Sequence, residues 1–337
     1  MEKEIEQAIS DVSPEGMESG KDALLVEAQI DISLLMGRLS EDSSDDKAKL
    51  EDIENSFRVS KEGLQKKYPD RLQEIEILYD LWETNRGQKR IDGLTAKENE
   101  LKKKTWECAA ALKDDRFDRK EKLKIIRDSK DIDRKLAQVR NEKRDIFVSL
   151  TSWNFLVTNH IINNSGNREY LGQFWNALGE VDAMTGGDDF KRKQKGLVGQ
   201  AGLYHIMRDA GSCADLATPR EDAFKKTDLK LRVPGHKNVL IQTKHTVLER
   251  DVIFESTDDL SYPGVESRDG GQRRHFSEKH IKEMSHLAMS CRKESEETGE
   301  KVSGYYVVLP EGSLDGITAE PKPEVVELFK KKLETLS

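Results

Sequence analysis

The sequence predicts an α+β protein: a helical amino-terminal half followed by a smaller half that mixes helices and strands. Three observations carry that reading. From residue 1 to about 187 the chain is rich in Glu, Asp, Lys, Leu and Ile, has few prolines and shows no alternating strand pattern. After residue 187, short β-branched runs alternate with amphipathic helical ones. Between the two, Met184 to Lys195 combines Gly186-Gly187 with the cations Lys191, Arg192, Lys193 and Lys195, the composition of a junction. The expected domains are therefore 1–187 and 188–337.

In the first domain, the stretch after Ser40 is acidic (Asp42, Asp45, Asp46, Glu51, Asp52, Glu54), and Ser43-Ser44 is expected to interrupt any helix there. That acidic stretch would shield a basic site or bind a protein partner. Tyr68 to Arg86 is amphipathic, with Leu72, Ile75, Leu78, Leu81 and Trp82 to bury. A helical hairpin follows over about 94–150. Leu94, Leu101 and Cys108 repeat every seven residues, as do Ile125, Ile132, Val139 and Ile146, and the two stripes face each other if the chain reverses at Asp114-Asp115-Arg116. So few heptads predict a bundle rather than a long coiled coil. Trp153, Phe155, Tyr170, Phe174 and Trp175 make Leu150 to Leu178 the most aromatic segment, read as core where the halves meet.

The second domain reads α-β-β-β-α-β-α. Gly196 to Asp209 has Leu197, Ala201, Tyr204 and Met207 at helical spacing, with Gly211 as a stop. Leu229, Leu231 and Val233 alternate with polar residues, Pro234-Gly235 turns the chain, and Val239 to Lys244 forms a second strand. Asp251 to Glu255 is a third. A helix capped by Ser277 buries Ile281, Met284, Leu287, Ala288 and Cys291. Val302 to Leu309 is the most strand-like run of all, and Pro323 to Leu336 closes the chain as a helix.

The chemistry concentrates in Thr227 to Lys244. Period two places Gln242 and Lys244 on one side of their strand, so that Asp228, Gln242 and Lys244 converge near the strand ends. A carboxylate and an amide oxygen suit a hard divalent cation, and an ammonium beside them orients water or neutralises phosphate. The order Asp, spacer, Gln-x-Lys, set in an αβββαβ sequence of elements, resembles the PD-(D/E)XK nuclease superfamily. The variant is the one in which Gln replaces the second acidic residue, similar to virus-type replication and repair nucleases. The resemblance covers about the last 140 residues and implies a restriction-endonuclease-like fold and phosphodiester hydrolysis with Mg²⁺ (or Mn²⁺). It further implies that Asp228, Gln242 and the carbonyl of Thr243 hold the metal, that Lys244 acts on the attacking water, and that Gln200 faces the site where relatives often carry Glu. With Gln at both usual acidic positions, a second carboxylate is expected from Glu221, Asp222 or Glu255.

Lys191, Arg192 and Lys193 at the junction, and Arg268, Arg273, Arg274, His275 and Lys279 in and after the long loop 256–276, are the candidate contacts to a nucleic acid, DNA or RNA. A net charge of −8 argues against an indiscriminate nucleic-acid coat. No apolar run approaches a membrane span, and the start Met-Glu-Lys-Glu-Ile-Glu lacks a signal peptide's basic end and apolar stretch. Cys108, Cys213 and Cys291 lack metal-like spacing and suggest reduced thiols in the cytoplasm, with nuclear or secreted-effector destinations left open. Two functions follow: a metal-dependent nuclease, or a catalytically inactive nuclease-like domain in a helical interaction or effector protein that binds a protein partner through its amino-terminal helices.

Overall fold

The structure is a computed structural model that describes residues 22–41, 47–114, 116–232, 238–246, 252–257 and 278–334. Among these, six helices precede the first strand: α1 (Ala23–Glu41), α2 (Lys47–Lys67), α3 (Leu72–Lys113), α4 (Arg119–Asn164), α5 (Arg168–Met184) and α6 (Phe190–Asp209). Then come β1 (Cys213–Leu216), α7 (Pro219–Lys225), β2 (Leu229–Arg232), β3 (Asn238–Thr246), β4 (Ile253–Ser256), α8 (Glu278–Thr298), β5 (Ser303–Pro310) and α9 (Pro323–Glu334). The mixed α+β class is as expected. The expected turn at Pro234-Gly235, the Ser277 cap, the interruption at Ser43-Ser44 and most of the loop 256–276 lie outside the described residues. No described helix is long and apolar enough to cross a membrane.

The amphipathic run that begins near Tyr68 and the first limb of the hairpin are one helix, because nothing between Arg86 and Leu94 breaks the backbone hydrogen bonds of α3. Asp118 starts α4 with a capping box, its carboxylate accepting from Glu121 N while the Glu121 side chain accepts from Asp118 N. Between the limbs, Leu101, Leu136 and Val139 form a small apolar seam. Beside it the buried Glu98 is held by Lys102 at 2.8 Å and Lys143 at 2.9 Å, and these cations draw its carboxyl down to about 2.

Two elements escape the sequence reading, β1 and α7. Each is short, and Cys213-Ala-Asp-Leu has neither a β-branched nor an aromatic residue to mark it as a strand. With β1 added, the sheet has five strands in the order β1-β2-β3-β5-β4. β1, β2 and β3 pair antiparallel in turn, β3 and β5 pair parallel, and β4 closes the far edge antiparallel to β5. The middle of β3 is buried on both faces, the environment that an unbroken Val-Leu-Ile run requires.

One face of the sheet (Leu229, Leu231, Val239, Ile241, Val307, Leu309) packs on α6. That helix comes close because position 199 is glycine: a Cβ there would stand 2.7 Å from the Cβ of His245. The opposite face carries Leu240, Ile253, Tyr306 and Val308 under Met284, Leu287 and Cys291 of α8.

Gly186-Gly187 is a tight turn rather than a loose linker. Gly187 N donates to Asp182 O at 2.7 Å, Gly186 has φ of +78°, and a Cβ on Gly187 would collide with the Asp182 carboxylate. A single apolar core runs from Leu24 and Ile32 through Trp82, Trp153 and Phe174 to Ile241 and Phe329, so both halves build it. The aromatic segment sits where they meet, with Trp175 Nε1 donating to Ile317 O at 3.0 Å. A chain cut at Gly187 would split that core.

His205 on α6 is 1% exposed, and its Nε2 has no hydrogen-bond partner. Burial, helped by the charge of Arg208, pushes it down to about 4. Between about pH 6.5 and 4 the unfolded chain therefore binds a proton at this residue that the folded one refuses, so the native state loses stability as pH falls. Replacing His205 with Leu removes that titration. The stability of the parent relative to His205→Leu should then drop by up to roughly 3 kcal/mol between pH 7 and pH 4. Urea unfolding of both proteins at each pH checks this, and a difference that does not change with pH would refute it.

Candidate functional site

The site begins with two local signals. Thr218 caps α7 through a capping box with Glu221, and Pro219 opens the helix. Lys226, with φ of 54°, ends it and turns the chain into β2. Asp222 on α7 and Asp228 at the entry to β2 are thereby brought within range of each other's charge. The backbone of Asp228 is pinned on both sides, its O accepting from Ala217 N at 2.9 Å and its N donating to Ile241 O at 2.8 Å.

Strand register then decides what stands beside Asp228. Leu229 pairs with Ile241, so Asp228 is opposite Gln242; Gln242 pairs with Tyr306, and Tyr306 with Glu255. Asp228, Gln242, Tyr306 and Glu255 form a row across the sheet, and Lys244 lies two residues further along β3 on the same face. Helix α8 covers this face and contributes Glu283. One oxygen of Glu283 is 3.5 Å from Lys244 Nζ, and the other accepts from the Tyr306 hydroxyl at 2.9 Å. The ring of His280 lies 5.6 Å from that of Tyr306.

The electrostatics are those of carboxylates gathered out of water. Burial raises the Asp228 carboxyl above its ordinary value, although Lys244, the Thr243 N–H at 2.6 Å and Lys226 oppose the rise. Burial and then the charge of Asp228 push Asp222 up to about 7, a shift typical of functional sites. Gln242 is 5% exposed and its Oε1 receives no hydrogen bond. A buried amide oxygen without a donor is costly.

Among the described residues no three His, Cys, Asp or Glu side chains form a ready-made metal cage. The donors present, two mutually repelling carboxylates and an unmatched amide oxygen, fit a Mg²⁺-like ion, which keeps several waters and takes one or two carboxylates rather than a full protein shell. A dication would relieve both the repulsion and the unsatisfied oxygen.

Not every expected residue belongs here. Gln200 lies on α6, which packs on the opposite face, and its Oε1 accepts from Thr158 Oγ1 at 2.9 Å; the sequence reading that aimed it at the site is corrected. Thr243 reaches Asp228 through its backbone N–H, while its buried hydroxyl points to the other face. Glu221 is committed to its cap and to ion pairs with Lys230 and Lys225. Lys193 is not a free phosphate contact, since its ammonium is 2.6 Å from Asp182, whereas Lys191 and Arg192 are exposed at the start of α6. Arg268, Arg273, Arg274, His275 and the side chain of Lys279 lie outside the described residues.

Glu283 and Tyr306 are the members that sequence reasoning missed. A Glu beside the apolar stripe of a helix and a Tyr in a strand are ordinary, and only the packing of α8 on β5 makes them a pair. Comparison with protein-family models, with curated proteins and with solved structures finds no match to this chain.

Proposed function

We propose that the chain is a metal-dependent phosphodiesterase, a nuclease acting on DNA or RNA. The observation that carries this is the convergence of Asp228, the unmatched Gln242 Oε1 and the Lys244 ammonium on one face of β2 and β3, with Asp222 of α7 within range of the Asp228 and Lys244 charges. Asp228, Asp222 and Gln242 would hold the cation, which when bound supplies Lewis-acid polarisation of a phosphoryl oxygen and a more acidic water. Lys244 provides a positive charge where a phosphate would dock and a donor to the attacking water. Glu283 keeps that ammonium on the site side of the sheet, and the Tyr306 hydroxyl fixes the Glu283 carboxylate in turn. Tyr306 stays protonated for this role, because burial and the Glu283 charge raise its phenol well above the usual range.

The test is incubation of the full chain with labelled single-stranded DNA, duplex DNA and RNA in Mg²⁺ or Mn²⁺, with Lys244→Ala in parallel. Cleavage by the parent, absent in EDTA and reduced about a thousandfold in Lys244→Ala, is expected if the lysine supplies several kcal/mol of transition-state stabilisation. No cleavage of any substrate in either metal would overturn the proposal in favour of an inactive nuclease-like domain in an interaction or effector protein.

A further inference from the structure

The hairpin of α3 and α4 extends past the body of the protein. At 42 and 46 residues the two helices run for roughly 63 and 69 Å. The last buried residue on α3 is Leu101 and the first on α4 is Leu136. The described residues between them therefore form an arm in which neither limb has a buried side chain.

That arm reverses the charge of the rest of the chain. Residues 102–135 hold thirteen Lys and Arg against eight Asp and Glu, net +5, while the total is −8, so the remaining residues carry −13. The excess is ordered. Arg119, Leu123, Arg127, Lys130 and Arg134 succeed one another at steps of four, four, three and four, one stripe on α4 opposite the seam residues Ile132, Leu136 and Val139. Among the described residues no ion pair engages Arg119, Arg127 or Lys130, and Arg134 meets only Asp131 at 3.4 Å. On α3, by contrast, Lys102 and Lys104 are paired with Glu98 and Glu100. Leu123, 52% exposed, and Trp106, 77% exposed, lie on the same arm.

We propose that this arm binds the sugar–phosphate backbone of a nucleic acid, without reading its sequence. Four cations on one face of α4, three of them without an ion pair, suit a polyanion, and the acidic remainder of the chain confines the contact to the arm. The proposal deepens the nuclease reading, since an arm gripping the same polymer would hold substrate for the sheet site. Binding is measured without metal and cleavage with it, so the two readings fail separately.

The experiment is fluorescence anisotropy of labelled duplex DNA, duplex RNA and single-stranded DNA of unrelated sequences, with the full chain in EDTA at several salt concentrations. The parent is compared with Arg119→Gln/Arg127→Gln/Lys130→Gln and with the charge-matched control Lys66→Gln/Lys322→Gln/Lys331→Gln. The exposed arm positions are expected to tolerate substitution, and circular dichroism verifies that each variant is folded. The arm variant should bind at least tenfold more weakly, and its slope of log affinity against log salt should fall by about 2 to 3, near one per lost phosphate contact. The control should match the parent. Equal loss in both triple variants, an unchanged salt slope in the arm variant, or tighter binding of polyglutamate than of DNA would overturn the proposal.

Discussion

Asp228→Asn should reduce metal-dependent cleavage by about a thousandfold while leaving the protein as stable as the parent or more so. The two effects have one cause. The carboxylate is held where burial and the Glu283 charge disfavour it, and it in turn raises Asp222. Asparagine keeps an oxygen to accept the Thr243 N–H now 2.6 Å from Asp228 Oδ2, but removes the charge. A residue retained for chemistry at the cost of stability behaves in this way. Losing the main anionic donor to a hard cation removes several kcal/mol of charge stabilisation, hence the size of the rate effect. Gln242→Glu, which adds a carboxylate at the unmatched oxygen, should tighten Mg²⁺ binding. Cleavage rates, thermal melting and Mg²⁺ titration check the set, and an Asp228→Asn protein that cleaves at the parental rate would remove Asp228 from the site.

Lys193→Met should cost about 3 kcal/mol of stability, the largest effect expected far from the sheet site. The Asp182 side chain is 2% exposed and has Lys193 Nζ at 2.6 Å and Asn85 Nδ2 at 3.0 Å as partners for the same oxygen. Asn85 also donates to Thr185 Oγ1 at 2.8 Å, so the network ties α3 to the α5–α6 turn. Methionine keeps most of the packing volume and leaves a buried carboxylate without its counter-charge. Lys193 itself is 28% exposed and reaches water if Asp182 is neutralised, so Asp182→Asn/Lys193→Met should recover part of the loss. Urea unfolding of both variants decides it, and a Lys193→Met protein within about 0.5 kcal/mol of the parent would show the pair to be incidental.

Much of the architecture was legible because it is local. Helix periodicity, the hairpin reversal and the apolar run of β3 are fixed by residues a few positions apart, and the four expected strands occur near their expected bounds. The short, weakly patterned β1 and α7 were not legible, although the Thr218-x-x-Glu221 capping signal with Pro219 was there to be read. Gly186-Gly187 misled, since two glycines mark a loose linker and a tight turn equally well in sequence. What separates them is the Asp182 carboxylate beside the second one.

The sequence by itself determined the α+β composition, the side of β3 shared by Gln242 and Lys244, and the supply of candidate carboxylates. Only the tertiary structure decided which carboxylates meet. Antiparallel register sets Asp228 against Gln242, and the seating of α7 lets Asp222 feel Asp228. The choice of face gives the site to α8, with Glu283, and turns Gln200 on α6 away to Thr158. The physical reason is range. Period and propensity act over a few residues along the chain, whereas a charge responds to whatever packing brings within several ångströms, from any distance in sequence.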